Sequence, residues 1–360
     1  MKITIPTTTF FSEETVNGIT NTVMLISRQL IKMGHEVSVV APLQHNLPRE
    51  EDIEGIKVKR IPTSFDFKYS KNMMAEIKNF MPDLVHSFHY GYYPATAGFN
   101  AARSMKIPHI FTTSYHNSRT SVMSSIMIGI YGKTQGKKLL SCSAKVFPQN
   151  MNEAQGLQRI APEMKYDIVP CPINSKFFRP QRKKSKRKLV AYVGTMLPWK
   201  GAGIAFDICK KIEQQRDDVD FIFIGPGYLK PELIKKSSDR FTFKENIPIK
   251  ELANWYNKAD VMLYPTQYES FGRVLAEAMA CGTPIVSTKV GAVPETIGNG
   301  GMLVDYGDWK TMERNVLEIL DSKSICSRLG ASAIKHSKQY GFEVVGKKVE
   351  GIYQEVLNEK

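Results

Sequence analysis

Two glutamates with seven residues between them, Glu269 and Glu277, flank the start of a short helix-forming run within Tyr264 to Asp305, YPTQYESFGRVLAEAMACGTPIVSTKVGAVPETIGNGGMLVD. Ser270 is a good N-cap residue, Val274 to Ala280 is rich in helix formers, and Leu275 and Met279 fall one turn apart. Gly282 and Pro284 end the run, and Ile285 and Val286 suit a short buried strand before a glycine-rich loop. A helix N-terminus presents unpaired backbone N–H groups and about half a positive charge, which suits phosphate. Gly272 would let a ligand approach the backbone there. A carboxylate only accepts hydrogen bonds, so beside a phosphate it holds hydroxyls rather than the phosphate itself. Hydroxyls on both sides of a phosphate describe a nucleotide sugar. The same acids have a plain structural reading. Glu269 would be a solvated loop acid facing the helix dipole, and Glu277 would pair with Arg273 one turn earlier, for about 0.2–0.5 kcal/mol. On the two carboxylates alone, both readings stand.

The elements around this stretch decide between them. A chain of 360 residues predicts about two domains of ~150 residues. MKITIP starts a strand with no apolar leader behind it, and no apolar run nears the ~20 residues that span a bilayer. The longest, Ser121 to Tyr131, is short and contains several serines. Five cysteines, Cys142, Cys171, Cys209, Cys281 and Cys326, are scattered with no CxxC pair. That pattern points to reduced thiols in a cytoplasmic protein, and against zinc or a disulfide framework.

Charge is unevenly placed. Residues 1–200 carry 28 Lys/Arg against 13 Asp/Glu, a net of +15, and residues 201–360 carry 21 against 22, a net of −1. No acid occurs between Asp83 and Glu153. Such asymmetry calls for an anionic partner or a solvated basic face. Arg119 to Leu140 is apolar, Met-rich and basic, which fits a core helix with a solvated end or a surface helix on anionic lipid. The run RPQRKKSKRK, Arg179 to Lys188, reads as a linker. It has no interleaved aromatics, so nucleic acid is not the expected partner.

Strands alternate with helices through both halves, which predicts an α/β architecture of parallel sheets wrapped on both faces. Lys2–Pro6, an amphipathic helix over Asn21–Met33 ending at Gly34, and HEVSVVAP form a first βαβ unit without GxGxxG. Strands IKVKRIP, DLVHSFH, PHIFTTSYH and AKVFPQN follow, with helices over 72–80, 93–105 and 152–159, and YDIVPCPIN closes the half. Ligands bind beyond the carboxyl ends of such strands, where His116 falls. His86 and His89 lie on opposite faces of their strand and read as structural rather than as a metal pair. KLVAYVGTML, DFIFIGPG, FTFKENIP and DVMLYPT repeat the pattern, with a loop then a helix in PWKGAGIAFDICKKIEQQ, a helix over 249–259 and a helical tail over 309–320, 325–336 and 343–358.

With these residues in place, the chain resembles the retaining nucleotide-sugar glycosyltransferases of the family 4 type (glycosyl transferases group 1), which includes phosphatidylinositol mannosyltransferase-like and diacylglycerol glucosyltransferase-like enzymes. ESFGRVLAEAMACGTPIV looks like that family's glutamate–seven–glutamate motif. YVGTMLPWKG, IGPG and NKADVMLYPTQYE match in order and spacing, and GHEVSVVAP, PDLVHSFH, TTSYHNS and IVPCPINSKFFRP fit more loosely. The resemblance implies a GT-B fold, two Rossmann-like domains with parallel sheets facing across a cleft. It divides the chain into an acceptor-binding domain (1–178), a basic linker (179–188), a nucleotide-sugar-binding domain (189–340) and a C-terminal helix crossing back (341–360).

Carried over by position, Glu269 would hold donor-sugar hydroxyls near the reacting carbon, and Glu277 the ribose hydroxyls. Backbone N–H groups at Phe271, Gly272, Arg273 and Val274 would bind the diphosphate, and Lys200 would neutralise it. His116 would contact the transferred sugar, and Gly18 would let the first loop approach phosphate and acceptor. Many members place an arginine where Thr195 stands, and threonine cannot replace its bidentate charge. The Arg273 side chain is a candidate substitute. No Asp-x-Asp pattern adjoins the motif, so no metal site and no cofactor are expected. The co-substrate would be a UDP- or GDP-sugar and the acceptor a lipid or carbohydrate, with transfer at the cytosolic face of an anionic membrane. A soluble acceptor, a nucleotide-sugar epimerase of the same fold and a catalytically weak sugar-binding protein remain alternatives.

Overall fold

The computed structural model describes residues 1–10, 18–44, 47–62, 72–114, 131–181 and 187–359. The chain divides into two compact units: Met1–Pro172 together with Phe342–Lys360, and Ile173–Gly341. The loop that carries His116, the apolar stretch over 121–130 and linker residues 182–186 lie outside the described residues.

Unit 1 is built on one sheet of seven strands: β1 (Lys2–Pro6), β2 (Glu36–Pro42), β3 (Glu50–Ile53), β4 (Ile56–Ile61), β5 (Leu84–Phe88), β6 (His109–Thr112) and β7 (Lys145–Phe147). Their order is β3-β4-β2-β1-β5-β6-β7, parallel throughout except for β3, which pairs antiparallel with β4 at the edge. The inner strands are buried on both faces, which their near-continuous apolar runs require. The helices are α1 (Gly18–Lys32), α2 (Met73–Asn79), α3 (Tyr93–Met105), α4 (Lys137–Cys142, entered through a π turn at Gly132–Gly136) and α5 (Met151–Gln158).

Unit 2 has six strands, all parallel: β8 (Lys188–Val193), β9 (Val219–Ile224), β10 (Phe241–Lys244), β11 (Val261–Tyr264), β12 (Ile285–Thr288) and β13 (Gly301–Val304), in the order β10-β9-β8-β11-β12-β13. Its helices are α6 (Ala202–Gln215), α7 (Lys230–Lys236), α8 (Ile249–Lys258), α9 (Arg273–Ala280), α10 (Val293–Ile297), α11 (Trp309–Asp321) and α12 (Lys323–Ser337). The last helix, α13 (Phe342–Asn358), belongs to unit 1, where it packs beside α1. Each sheet is the doubly wound, Rossmann-like arrangement that the alternation predicts. The strand order reverses between β1 and β5 in one and between β8 and β11 in the other.

Several elements differ from expectation. The stretch read as a glycine-rich loop after β12 contains α10 and β13, and β3 and α7 are additional. Helix α9 is capped by Gly272, not Ser270: Gly272 sits at φ 81°, a left-handed conformation that serine would adopt only with strain.

His86 and His109 fill the interior of unit 1. His86 Nδ1 lies 2.5 Å from the Tyr353 hydroxyl of α13, and its Nε2 2.7 Å from Thr112 Oγ1. His109 bridges Ser143 at 2.8 Å and Ser87 at 2.9 Å. Burial holds His86 well below the ordinary imidazole range, with His109 adding to the effect, and pushes His109 down to about 3. Both are structural, neutral imidazoles that satisfy buried hydroxyls. Among the described residues, no three His, Cys, Asp or Glu side chains are grouped to hold a metal ion, and no helix is long and apolar enough to cross a membrane.

Candidate active site

In unit 2 the strand order reverses between β8 and β11, and the loops leaving their carboxyl ends carry the candidate residues. After β8 the chain makes a short 3-10 turn, Pro198–Lys200, and after β11 it runs through Thr266 to Glu269. The two loops are stitched together. Gln267 N donates to Trp199 O at 2.9 Å, and Thr266 Oγ1 donates to the same carbonyl at 3.3 Å. Tyr192, near the end of β8, directs its hydroxyl at the carbonyls of Thr195 (3.0 Å) and Lys200 (3.2 Å).

This stitching brings Lys200 and Glu269 together across 69 residues of sequence. Glu269 is buried, at 7 % exposure. Lys200 Nζ forms an ion pair with its Oε1, and the Tyr264 hydroxyl donates to that same oxygen at 2.7 Å. Burial, reinforced by the Glu269 charge, pushes the Tyr264 phenol far up, so it acts only as a proton-bearing donor. Glu269 is further fixed through its backbone, where its carbonyl accepts from Ala292 N at 2.9 Å. Gly291 makes that approach possible: it sits at φ 51°, and a Cβ there would lie 2.3 Å from Glu269 O.

Helix α9 follows directly. Its first N–H groups, around Phe271 to Val274, have no intrahelical acceptors by the geometry of any helix start. Glu277, at 5 % exposure, lies one turn in. Arg273 Nε donates to its Oε1 at 2.8 Å, and the Tyr256 hydroxyl reaches its Oε2 at 3.4 Å. Burial raises the Glu277 carboxyl above its usual range, while Arg273 and Tyr256 pull it back. The structural pairing foreseen for Glu277 is therefore present. It also locates the Arg273 guanidinium: that side chain lies on Glu277, and the cation paired with Glu269 is Lys200 rather than a substitute for the arginine missing at Thr195.

The structure thus gathers Lys200, Glu269, Phe271, Gly272, Arg273, Val274 and Glu277 around the loops of one sheet. Gly18 is the first residue of α1 in unit 1, exposed, and a Cβ there would meet nothing within 4 Å among the described residues. His116 lies outside the described residues. Sequence reasoning missed Tyr264 and Tyr192, whose rings stack at 5.8 Å beneath the Lys200–Glu269 pair. The available signal was a tyrosine near the carboxyl end of each of two strands, YV and LY. Tyr264→Phe removes one donor from Glu269 while keeping the ring. It is expected to lower turnover about tenfold with little change in folding, the size of one hydrogen bond to a charged group. An unchanged kcat in steady-state assays would show that Tyr264 only packs.

Two family models match the chain in succession: Glycosyltransferase Family 4 over residues 16–177, and Glycosyl transferases group 1 over residues 174–336. An uncharacterized glycosyltransferase of Methanocaldococcus jannaschii is 25% identical over 327 residues, covering 87% of this chain and 84% of that protein. D-inositol 3-phosphate glycosyltransferases of Segniliparus rotundus and Mycolicibacterium smegmatis are 28% and 30% identical over 217 and 212 residues; each match spans 48% of the relative. Among solved structures, sucrose-phosphate synthase from Thermosynechococcus elongatus superposes with a TM-score of 0.84 at 18% identity over 100% of both chains. Anabaena HepE in complex with UDP-glucose superposes at 0.74 with 13% identity, over 99% of this chain and 100% of that one. At these identities the structural likenesses speak for the fold.

Proposed function

The chain belongs to the family 4 type of GT-B glycosyltransferases, and on that premise we propose that it moves a sugar, with retention at the anomeric carbon, from a nucleotide-diphosphate sugar to an acceptor hydroxyl on a lipid or lipid-linked carbohydrate. The observation that carries this reading is the Lys200–Glu269–Tyr264 cluster at the strand-order reversal, with a half-buried lysine on a buried carboxylate, one turn ahead of the start of α9. A cation, a carboxylate and helix N–H groups side by side support a ligand that carries both phosphate and hydroxyls, as a nucleotide sugar does.

In the proposed reaction the acceptor oxygen attacks the anomeric carbon from the face that the diphosphate leaves. The bond from that carbon to the phosphate oxygen breaks, and the acceptor proton passes to the departing phosphate. Charge grows on the diphosphate, and Lys200 with the α9 N-terminus stabilises it without a metal ion. Glu269 orients the sugar through its hydroxyls, Glu277 holds the ribose, His116 contacts the transferred sugar, and Gly18 lets the first loop approach phosphate and acceptor. The uridine nucleotide in HepE supports a UDP-sugar as the first donor to try, with GDP-sugars next. The net +15 of the first 200 residues supports an anionic acceptor or membrane surface. The inositol-phosphate specificity named for several relatives supports a second reading, a soluble phosphorylated acceptor.

A thermal-shift screen against UDP-, GDP- and ADP-sugars, followed by transfer assays on phosphorylated polyols and on anionic vesicles, tests the proposal. One donor class is expected to raise Tm, since a ligand at a hundredfold its Kd adds about 2.7 kcal/mol. No shift with any nucleotide sugar would remove the donor assignment. Transfer to the soluble polyol alone, with no vesicle binding, would remove the membrane one.

A further inference from the structure

We propose that Glu269 makes this site selective for an intact donor over the nucleoside diphosphate left after transfer, by holding Lys200 whenever no sugar is present. This deepens, and rests on, the nucleotide-sugar reading of the site. Lys200 is committed to Glu269 Oε1, an oxygen that it shares with the Tyr264 hydroxyl. Glu269 Oε2 has no partner among the described residues, so it is the oxygen left for ligand hydroxyls. Arg273, the next cation along the chain, is bound to Glu277 and does not relieve Glu269.

A diphosphate arriving alone must therefore draw Lys200 off a buried carboxylate. It leaves Glu269 with one neutral donor and sets two like charges side by side. The carboxylate is poorly placed to swing aside: its carbonyl is bonded to Ala292 N, Gly291 is packed against it, and the preceding residues are tied to the Lys200 loop through Trp199. An intact donor resolves the conflict. Its sugar hydroxyls satisfy Glu269, and Lys200 is released to the diphosphate. The two halves of the donor thus assist each other's binding. When the bond between them breaks and the sugar leaves, Glu269 reclaims Lys200 and the diphosphate is loosened.

The test is calorimetric titration of UDP, GDP and ADP, and of the matching nucleotide sugars, into wild type, Glu269→Gln, Lys200→Met and the double variant. Glutamine keeps an acceptor for Tyr264 and removes the charge. Glu269→Gln is expected to tighten the bare diphosphate about tenfold while weakening the sugar donor, Lys200→Met to weaken the diphosphate, and the double variant to lose most of the Glu269 effect. Unchanged or weaker diphosphate binding in Glu269→Gln, with Lys200→Met still harmful, would overturn the inference and leave the site assignment intact. If neither the three diphosphates nor the matching nucleotide sugars bind wild type, the assignment itself fails. Should Glu269→Gln not fold, wild type decides: a donor at least tenfold tighter than its diphosphate supports the inference, and equal or weaker binding overturns it.

Discussion

Lys200→Met is expected to lower kcat by about a hundred- to a thousandfold, the loss seen when one preorganised group facing developing charge is removed. The leaving diphosphate gains charge as the glycosidic bond lengthens, so a cation beside it stabilises the transition state more than the bound donor. The loss should therefore appear mainly in kcat, with a smaller change in donor Kd. Tyr192 and the Trp199 stitching fix the backbone at Lys200, so a lysine placed elsewhere in the loop should not rescue it. Unit 2 should also lose stability. Methionine leaves the Glu269 side chain, only 9% exposed, without its cation, but Lys200 itself is 25% exposed, so about 1–2 kcal/mol is expected rather than the 3–5 of a fully buried pair. Parallel measurement of kcat, donor Kd and Tm separates these effects. A raised KM with kcat unchanged would mean that Lys200 serves only ground-state binding.

Acidification should unfold unit 1 well before unit 2. His86 and His109 are neutral in the folded unit because burial holds their pKa values far below the ordinary ~6.5, His109 at about 3. The unfolded chain protonates these rings near pH 6.5, so below that pH it takes up protons that the folded unit refuses. Their contribution is intact above pH 6.5 and declines as pH falls toward the folded values, by about 1.4 kcal/mol per pH unit for each ring. By pH 5 the pair removes about 4 kcal/mol, a large share of the ~5–15 kcal/mol that ordinarily holds a domain together. Unit 2 contains one histidine, His336, on the far end of α12. Hydrogen exchange of β5 and β6 peptides against β8 and β11 peptides at pH 7 and pH 5 reads the difference. Equal loss of protection in both units would contradict it.

Much of this was legible in the chain because strand-forming and helix-forming runs alternate with a regular period. Helix α3 falls on the residues that its pattern marks, and the strands at the site follow from the apolar runs before Gly194 and Pro265. Glu269 and Glu277 were visible because a fixed spacing around a helix start is a local property. What escaped was non-local or very short. Strands β3 and β13 have four residues each, too few for a period to register, and paired glycines ahead of β13 read as loop. The cap of α9 turned on backbone handedness: serine and glycine differ by only a few tenths of a kcal/mol as caps, and a positive φ reverses the choice. The Lys200–Glu269 pair and the tyrosines beneath it are products of strand order, which juxtaposes β8 and β11.

Helix α13 has a consequence for how the protein is made. Unit 1 comprises Met1–Pro172 and Phe342–Lys360, so unit 2 is an insertion within it. On the ribosome, every residue of unit 2 has been synthesised before the last segment of unit 1 exists. Tyr353, the partner that occupies His86, and Val345, Val349, Ile352 and Val356, which complete the core around α1, all arrive after unit 2. Of the two units, the one begun first is thus finished last, and while unit 2 is being made the core of unit 1 lacks its α13 side chains. Emergence of α13, rather than of the first 172 residues, sets the moment at which unit 1 can close its core.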